Sequence, residues 1–289
     1  MTRARARPNS HRRARWEGPS AVRELAASHE LLRNLTLREI RSKYKRTALG
    51  QGWSLLNPIA QLTLYSIVFS YVLRVRVAPG SSGLNVFVLW LAAALLPWLF
   101  FSNVVNLGLG ALVGNANLIK KVYFPREALI ISALLSCLFS FVIELTVLHV
   151  AVLIFGGTVN LLSIAVTLLI MMLLSIFAIG VALTLAVANV YFRDTQHLAA
   201  LFLMAWFYAS PIMYPASLIS ARAGTHSTVF RLYRLNPIER FSEAFRNTIY
   251  DAQLPTFGTM AYLTLASAAT LLAGHAIFRC LEGRLAEEL

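Results

Sequence analysis

The chain has 289 residues, 57% of them hydrophobic and only 13% charged, with a mean hydropathy of +0.64. A soluble globular domain carries about 25% charged residues, so the composition excludes one and points to a membrane protein. The net charge of +13 is unevenly spread: Thr47 to Leu73, Val77 to Ile119, Leu145 to Phe192 and Ala252 to Phe278 contain no Asp, Glu, Lys or Arg.

Residues 1–27 form a basic tail with Arg3, Arg5, Arg7, Arg12, Arg13 and Arg15. No apolar run follows it directly, so no cleavable signal peptide is expected. Residues 28–50 read as an amphipathic interface helix, with Leu37, Ile40, Tyr44 and Ala48 at helical spacing beside Arg38, Arg41 and Lys45. Such a helix buries its stripe in the headgroup layer and offers cations to anionic lipid. A contact with a cytoplasmic partner is the alternative use of the same face.

A bilayer core about 30 Å thick needs roughly 20 apolar helical residues. Stretches of that kind, bounded by Pro, Gly or charge, predict an all-α transmembrane domain over 58–279 with six spans. These run Pro58 to Leu73, Leu84 to Leu109, Ala128 to Phe155, Leu161 to Tyr191, Leu198 to Tyr214 and Phe257 to Phe278. The third and fourth are separated only by Gly156-Gly157-Thr158-Val159-Asn160, a turn that makes them a hairpin. Nineteen of the 26 basic residues lie on the side of the termini, the C-terminal segment 280–289 included, and seven on the other. Positively charged loops stay in the cytoplasm, so both termini are expected there, in a multi-pass protein of a bacterial inner membrane.

On the same side, segment 115–127 mixes Lys120, Lys121 and Arg126 with Ile119, Val122, Tyr123 and Phe124, and the short turn after the fourth span carries Arg193 and Asp194. Apolar and aromatic residues among charges suit a protein contact; a plain interfacial loop is the bland alternative. Within the spans Glu144 stands out, because an intramembrane carboxylate is costly. It reads either as a hydrogen-bond anchor or as a residue of a water-lined pathway. His149, five residues on, does not share its helix face and reads as a packing residue.

Aromatics are plentiful: Tyr65, Phe69 and Tyr71, then Trp90, Trp98, Phe100 and Phe101, then Trp206, Phe207 and Tyr208 with Tyr214. Many are expected in an interfacial belt. The Trp206-Phe207-Tyr208 cluster lies within a predicted span, and aromatic faces with a polar handle suit the mixed surface of a sugar. Pro211 and Pro215 kink or end the fifth span. In the loop 215–256 that follows, Asn236-Pro237 is a helix start, and Ile238, Phe241, Phe245 and Ile249 form an apolar stripe with Glu239, Glu243 and Arg246 elsewhere. That pattern describes a helix re-entering the outer leaflet or one lying on the surface.

Catalytic signatures are missing. No G-x-x-x-x-G-K-[ST] loop is present to cradle phosphates, so ATP hydrolysis is not expected in this chain. The only aspartates are Asp194 and Asp251, and no zinc-ligand spacing occurs; Cys137 and Cys280 are too few for a disulfide framework.

With these residues in order, the chain resembles the permease subunits of ABC-2 type polysaccharide exporters, which serve O-antigen, teichoic acid, capsule and mycobacterial galactan export. The resemblance covers roughly Leu31 to Arg279. It rests on Arg38-Glu-Ile-Arg-Ser-Lys-Tyr44 followed by Leu49-Gly-Gln-Gly-Trp-Ser-Leu-Leu-Asn-Pro58, and on Asn117-Leu-Ile-Lys-Lys-Val-Tyr-Phe-Pro-Arg126. Tyr191-Phe-Arg-Asp-Thr195, Tyr208-Ala-Ser-Pro-Ile-Met-Tyr214 and Asn236-Pro-Ile238 complete it. The basic tail is not part of the pattern.

The resemblance implies a homodimer bound to two copies of a separate ATPase subunit, which would hold the ATP and magnesium, and a lipid-linked polysaccharide as substrate. It places Arg38, Arg41, Lys120, Lys121, Tyr123, Phe124, Arg126, Arg193 and Asp194 against the ATPase. Tyr65, Phe69, Trp98, Trp206, Phe207, Tyr208 and Tyr214 would line the path, and Pro211, Pro215, Asn236, Pro237, Phe241 and Phe245 would form an outer gate. No metal, cofactor or nucleic acid is expected on this chain. An ABC-2 permease for a small lipid or drug, and a secondary transporter, are the rival functions.

Overall fold

The computed structural model describes residues 29–43, 45, 47–72, 80–122, 124–219 and 228–288. The basic tail, Tyr44, Tyr123 and Arg222 therefore lie outside the described residues. Every regular element among those described is helical. In chain order they are α1 (His29–Lys43), α2 (Trp53–Ser66, continued by a π-helical stretch, Ile67–Val72), α3 (Phe87–Gly114), α4 (Ala116–Lys121), α5 (Glu127–Ile154) and α6 (Leu161–Tyr191). Then follow α7 (Thr195–Tyr208), α8 (Thr228–Tyr233), α9 (Pro237–Ile249), α10 (Phe257–Leu281) and α11 (Leu285–Glu288).

Five helices are long and apolar enough to cross a membrane: α2 with its π-helical extension, α3, α5, α6 and α10. The expected fifth span, Leu198 to Tyr214, is not a sixth such helix. It is the 14-residue α7, about 21 Å long at 1.5 Å per residue, too short for a core about 30 Å thick. Helix α7 ends where Ser210 and Pro211 turn the chain, since proline has no backbone donor to continue the ladder. The first span begins at Trp53 rather than Pro58. One turn into the helix, Pro58 removes only a single intrahelical bond. Likewise α1 ends at Lys43 instead of 50, ahead of a Gly50–Gly52 turn in which Gly50 has φ +51°. Its buried residue is Leu35, with Leu31 and Leu32 packed beside it, so the face turned to the bundle lies on roughly the opposite side of the helix from Leu37 and Ile40.

Helix α3 is the axle of the bundle. It is apolar all round and buried along most of its length, the signature of a helix with neighbours on every side. Phe101 packs on Phe177 at 5.6 Å, and Asn189 donates to the Leu109 carbonyl at 3.0 Å, so α3 and α6 run parallel. Ser267 donating to Leu173 O at 2.9 Å and Tyr191 to Leu281 O make α10 parallel to α6 as well. Helix α5 runs the other way, with Phe141 stacked on Phe100 at 4.5 Å and Ile130 beside Gly108. The turn before α6 uses Gly156 at φ +86° and a reciprocal Asn160–Ser163 capping box.

Both described chain ends meet at one end of the bundle. Arg38 donates to Asn115 at 2.7 Å, and Arg126 to the carbonyl of Glu282. Glu127 lies 3.1 Å from His275, and Leu285 is buried. Helix α5, with 28 residues, is about 42 Å long and exceeds a bilayer core; α1 packs along its first half, with Lys43 reaching Cys137. The far end is closed by the loop at 80–84, where Tyr250 donates to Leu84 O at 2.9 Å and Ser81 to Asp251 O at 2.8 Å. Short α7 rises from the basic end, the described residues between 209 and 256 fill the far end, and α10 returns.

Candidate functional site: a groove along the central helix

One face of α3 is shared with α2, α5 and α7. On α2, Asn57, Gln61 and Tyr65 recur every four residues and so stand above one another. On α3, Trp98, Ser102 and Asn106 do the same. Gln61 and Tyr65 of α2 and these three residues of α3, with Leu203, Phe207 and Tyr208 of α7, enclose a groove of about 330 Å³. Tyr65 lies 6.2 Å from Phe207, Trp98 5.6 Å from Phe207, and Phe207 5.2 Å from Tyr208, ring centre to ring centre. Toward the basic end the groove passes into a chamber of about 420 Å³, with Gln61, Leu99 and Asn106 common to both. Glu144 of α5, Asn103 of α3 and Lys43 of α1 line that chamber.

Of the aromatics expected along a path, Tyr65, Trp98, Phe207 and Tyr208 come together. Trp206 does not. Successive residues of a helix are about 100° apart, so three adjacent aromatics cannot share a face. Trp206 turns to Phe101 and Phe177, at 5.4 and 6.3 Å, and its indole N–H donates to Asn236 Oδ1 at 2.8 Å. Tyr214 sits past the end of α7, its hydroxyl donating to Tyr208 O at 3.0 Å. Phe69, in the π-helical stretch, packs on the core.

The residues expected to form an outer gate are anchors in the packed bundle. Phe241 lies against Phe177 at 5.7 Å and Phe245 against Phe141 at 6.1 Å, both fully buried. Helix α9 packs on α3 and α6 with its apolar side buried in the bundle. Asn236 caps α9 by accepting from Ile238 N and also donates to Ser210 at 2.9 Å, tying α9 to the end of α7. Pro237 opens the helix at its first position, and Pro215 accepts from Leu218 N in a turn.

Two charged residues of α9 are buried instead of facing away from the core. Arg246 donates to the carbonyls of Trp90, Pro211 and Ile212, and its guanidinium lies 3.5 Å from the centre of the Trp90 ring. Burial works against its charge, but three carbonyls and an aromatic face compensate. Glu239 is fully buried; burial, reinforced by Glu243, pushes its carboxyl up to about 7, while Arg234 and Arg240 hold it back. Arg240 reaches it at 3.5 Å and Arg234 at 4.0 Å.

At the basic end, Arg41, Lys120, Lys121, Arg193 and Asp194 are exposed, as is much of Arg38. Phe124 is half-buried against the core, and Arg126 donates to the Glu282 carbonyl just past the end of α10. Tyr123 lies outside the described residues. Glu144 borders the chamber, and His149 spends Nδ1 on the Leu145 carbonyl at 2.7 Å.

A screen for ionisable residues passes over Asn57, Gln61, Asn103 and Asn106, yet their spacing along α2 and α3 was visible. Arg246 was visible only as a charge beside an apolar stripe; nothing local says that it turns inward.

A family profile described as ABC-2 type transporter matches residues 30–250. The chain belongs to that family. The O-antigen export system permease protein RfbA of Myxococcus xanthus is 30% identical over 270 residues, covering 93% of this chain and 98% of that one. The permease of the same name from Klebsiella pneumoniae is 27% identical over 260 residues, with 90% and 95% covered. The polysialic acid transport protein KpsM of Escherichia coli is 27% identical over 250 residues, with 86% and 92% covered. The similarity thus runs through α1, the groove and the buried α9 of this ABC-2 type chain.

Proposed function

We propose that this chain is the transmembrane subunit of an ATP-driven exporter that moves a lipid-linked polysaccharide from the cytoplasm across the cytoplasmic membrane. The observation that carries this reading is the continuous groove along α3, with polar side chains toward the basic end and aromatic faces beyond them. Aromatic faces let a sugar chain slide while polar groups exchange with its hydroxyls. The names of the relatives, which export O-antigen and transport polysialic acid, support the same substrate class.

A single bundle encloses only one side of such a path. Along α2, Leu56, Ile59, Leu64 and Ile67 are exposed, and along α7 Leu198, Leu201, Phe202 and Met204. A second copy facing these helices would close the channel, which supports a homodimer. The basic end, by the positive-inside rule, is the cytoplasmic one, and both termini lie there. Two copies of a separate ATPase subunit, holding ATP and magnesium, would dock on Arg38, Arg41, Lys120, Lys121, Arg193 and Asp194. Closure of that ATPase pair would rock α1 and α4, and rigid α3 and α5 would carry the motion to the groove, a two-state mechanism.

The test is genetic and biochemical. Deleting the chain in its host should remove a surface polysaccharide and leave its lipid-linked precursor inside, and the purified chain alone should turn over no ATP. Surface polysaccharide unchanged by the deletion, or ATP turnover by the isolated chain, refutes the reading.

A further inference from the structure

Six polar side chains converge where α2, α3 and α5 are otherwise apolar: Asn57, Gln61, Asn103, Asn106, Ser140 and Glu144, with Lys43 at the mouth of the chamber. Several other hydroxyls of these helices are satisfied locally, Ser102 by Leu99 O, Ser132 by Leu129 O and Thr146 by Val142 O, while the Ser66 and Ser136 hydroxyls are buried singly without a partner among the described residues and line neither the chamber nor the groove. The six are distinguished by lining one cavity together, and none makes a hydrogen bond to another described residue. Side chains left unpaired at membrane depth are costly, so their retention on facing sides of one cavity calls for a polar occupant.

The donor set indicates the chemistry of that occupant. A carboxamide offers two donors and one acceptor, and a hydroxyl offers one donor and accepts in turn, so four carboxamides match a chain of hydroxyls. A polyanion needs donors and positive charge. Among the described residues Lys43 is the only cation lining the chamber, and Glu144 opposes it. We propose that the chamber is a sugar subsite that takes an uncharged, hydroxyl-rich stretch of glycan and disfavours a polyanionic one, with Glu144 accepting from sugar hydroxyls and setting the charge preference. The proposal rests on the exporter reading and narrows its substrate class.

The test uses the full-length chain in lipid nanodiscs, titrated with maltohexaose and with hexagalacturonate while tryptophan fluorescence is followed, because Trp53 lines the chamber and Trp98 the groove. Maltohexaose should quench saturably and hexagalacturonate bind about tenfold more weakly or worse. The Asn103→Ala, Asn106→Ala double variant should weaken maltohexaose binding severalfold; both residues are exposed in the single chain, so packing of α3 is retained. Glu144→Gln should narrow the difference between the two probes, hexagalacturonate binding more tightly relative to maltohexaose than it does in the wild type. Equal affinity for the two probes, no saturable binding of maltohexaose, or an unaltered double variant overturns the proposal. The two readings separate in cells: export lost on deletion of the chain but unaffected by the double variant and by Glu144→Gln overturns only the chamber, whereas export kept on deletion overturns the exporter reading itself.

Discussion

Gly274 meets Gly180 so closely that a methyl group built on Gly274 would fall 2.1 Å from the Gly180 carbonyl oxygen. Built on Gly180, it would fall 2.4 Å from the Thr270 carbonyl carbon. Two glycines facing each other let α6 and α10 touch backbone to backbone, the small-residue contact that replaces hydrophobic driving force between helices in lipid. The clashing atoms are backbone, so no rotamer change relieves them. Gly274→Ala and Gly180→Ala should each destabilise by about 1–3 kcal/mol. Gly110→Ala, with nothing within 4 Å, should be neutral or slightly stabilising. Thermal unfolding in detergent separates the three; equal melting temperatures would contradict the parallel α6–α10 contact.

Arg246 is the far-end clamp. Replacing it with Leu leaves the carbonyls of Trp90, Pro211 and Ile212 without their shared donor, which should cost about 2–4 kcal/mol. Arg246→Lys should rescue little, because an ammonium cannot fork to three carbonyls while lying flat on Trp90. Limited proteolysis after Tyr208 reports the loosening, and a lysine variant as resistant as wild type would count against the clamp.

Glu239 gives stability a pH dependence of definite sign. Its folded pKa is raised from 4.5 to about 7, so the folded state holds a proton that the unfolded state has lost between those values. This site therefore favours folding more as pH falls from about 7 toward 4.5 and opposes it once ionised above 7. Glu239→Gln should raise the melting temperature at pH 8 and change it little at pH 5. The reverse pattern would mean that Arg234 and Arg240 outweigh burial.

Trp206 and Tyr208 should part company. Tyr208 is 55% exposed beside the groove, so Tyr208→Ala is expected to slow export at unchanged protein level. Trp206→Phe loses the bond to Asn236 and should lower the melting temperature by the equivalent of about 1 kcal/mol. Paired export and melting measurements decide between this split and a common role.

Lys120 and Lys121 are exposed on α4 at the basic end. Reversing both to Glu should weaken co-purification with the ATPase and leave the melting temperature of the chain unchanged. Undiminished co-purification would reduce them to a topology signal.

The sequence by itself determined how far the chain is apolar, roughly where the long apolar helices lie, and which end is basic. The fourth span, Leu161 to Tyr191, coincides with α6, because a charge-free run between a capping Asn160 and Arg193 leaves a helix in lipid no alternative. Tertiary structure decided what lies inside. α7 stops short at Tyr208 and α9 folds back with Glu239 and Arg246 buried, since the turn carbonyls of Pro211 and Ile212 find their donor in Arg246, which also reaches the Trp90 carbonyl of α3. Trp206 and Tyr208, two residues apart on α7, fall on different faces by helix geometry alone, but only the packing decides which neighbours each face meets. Hydropathy is a property of a window, whereas the facing of a side chain is settled by the neighbours it packs against.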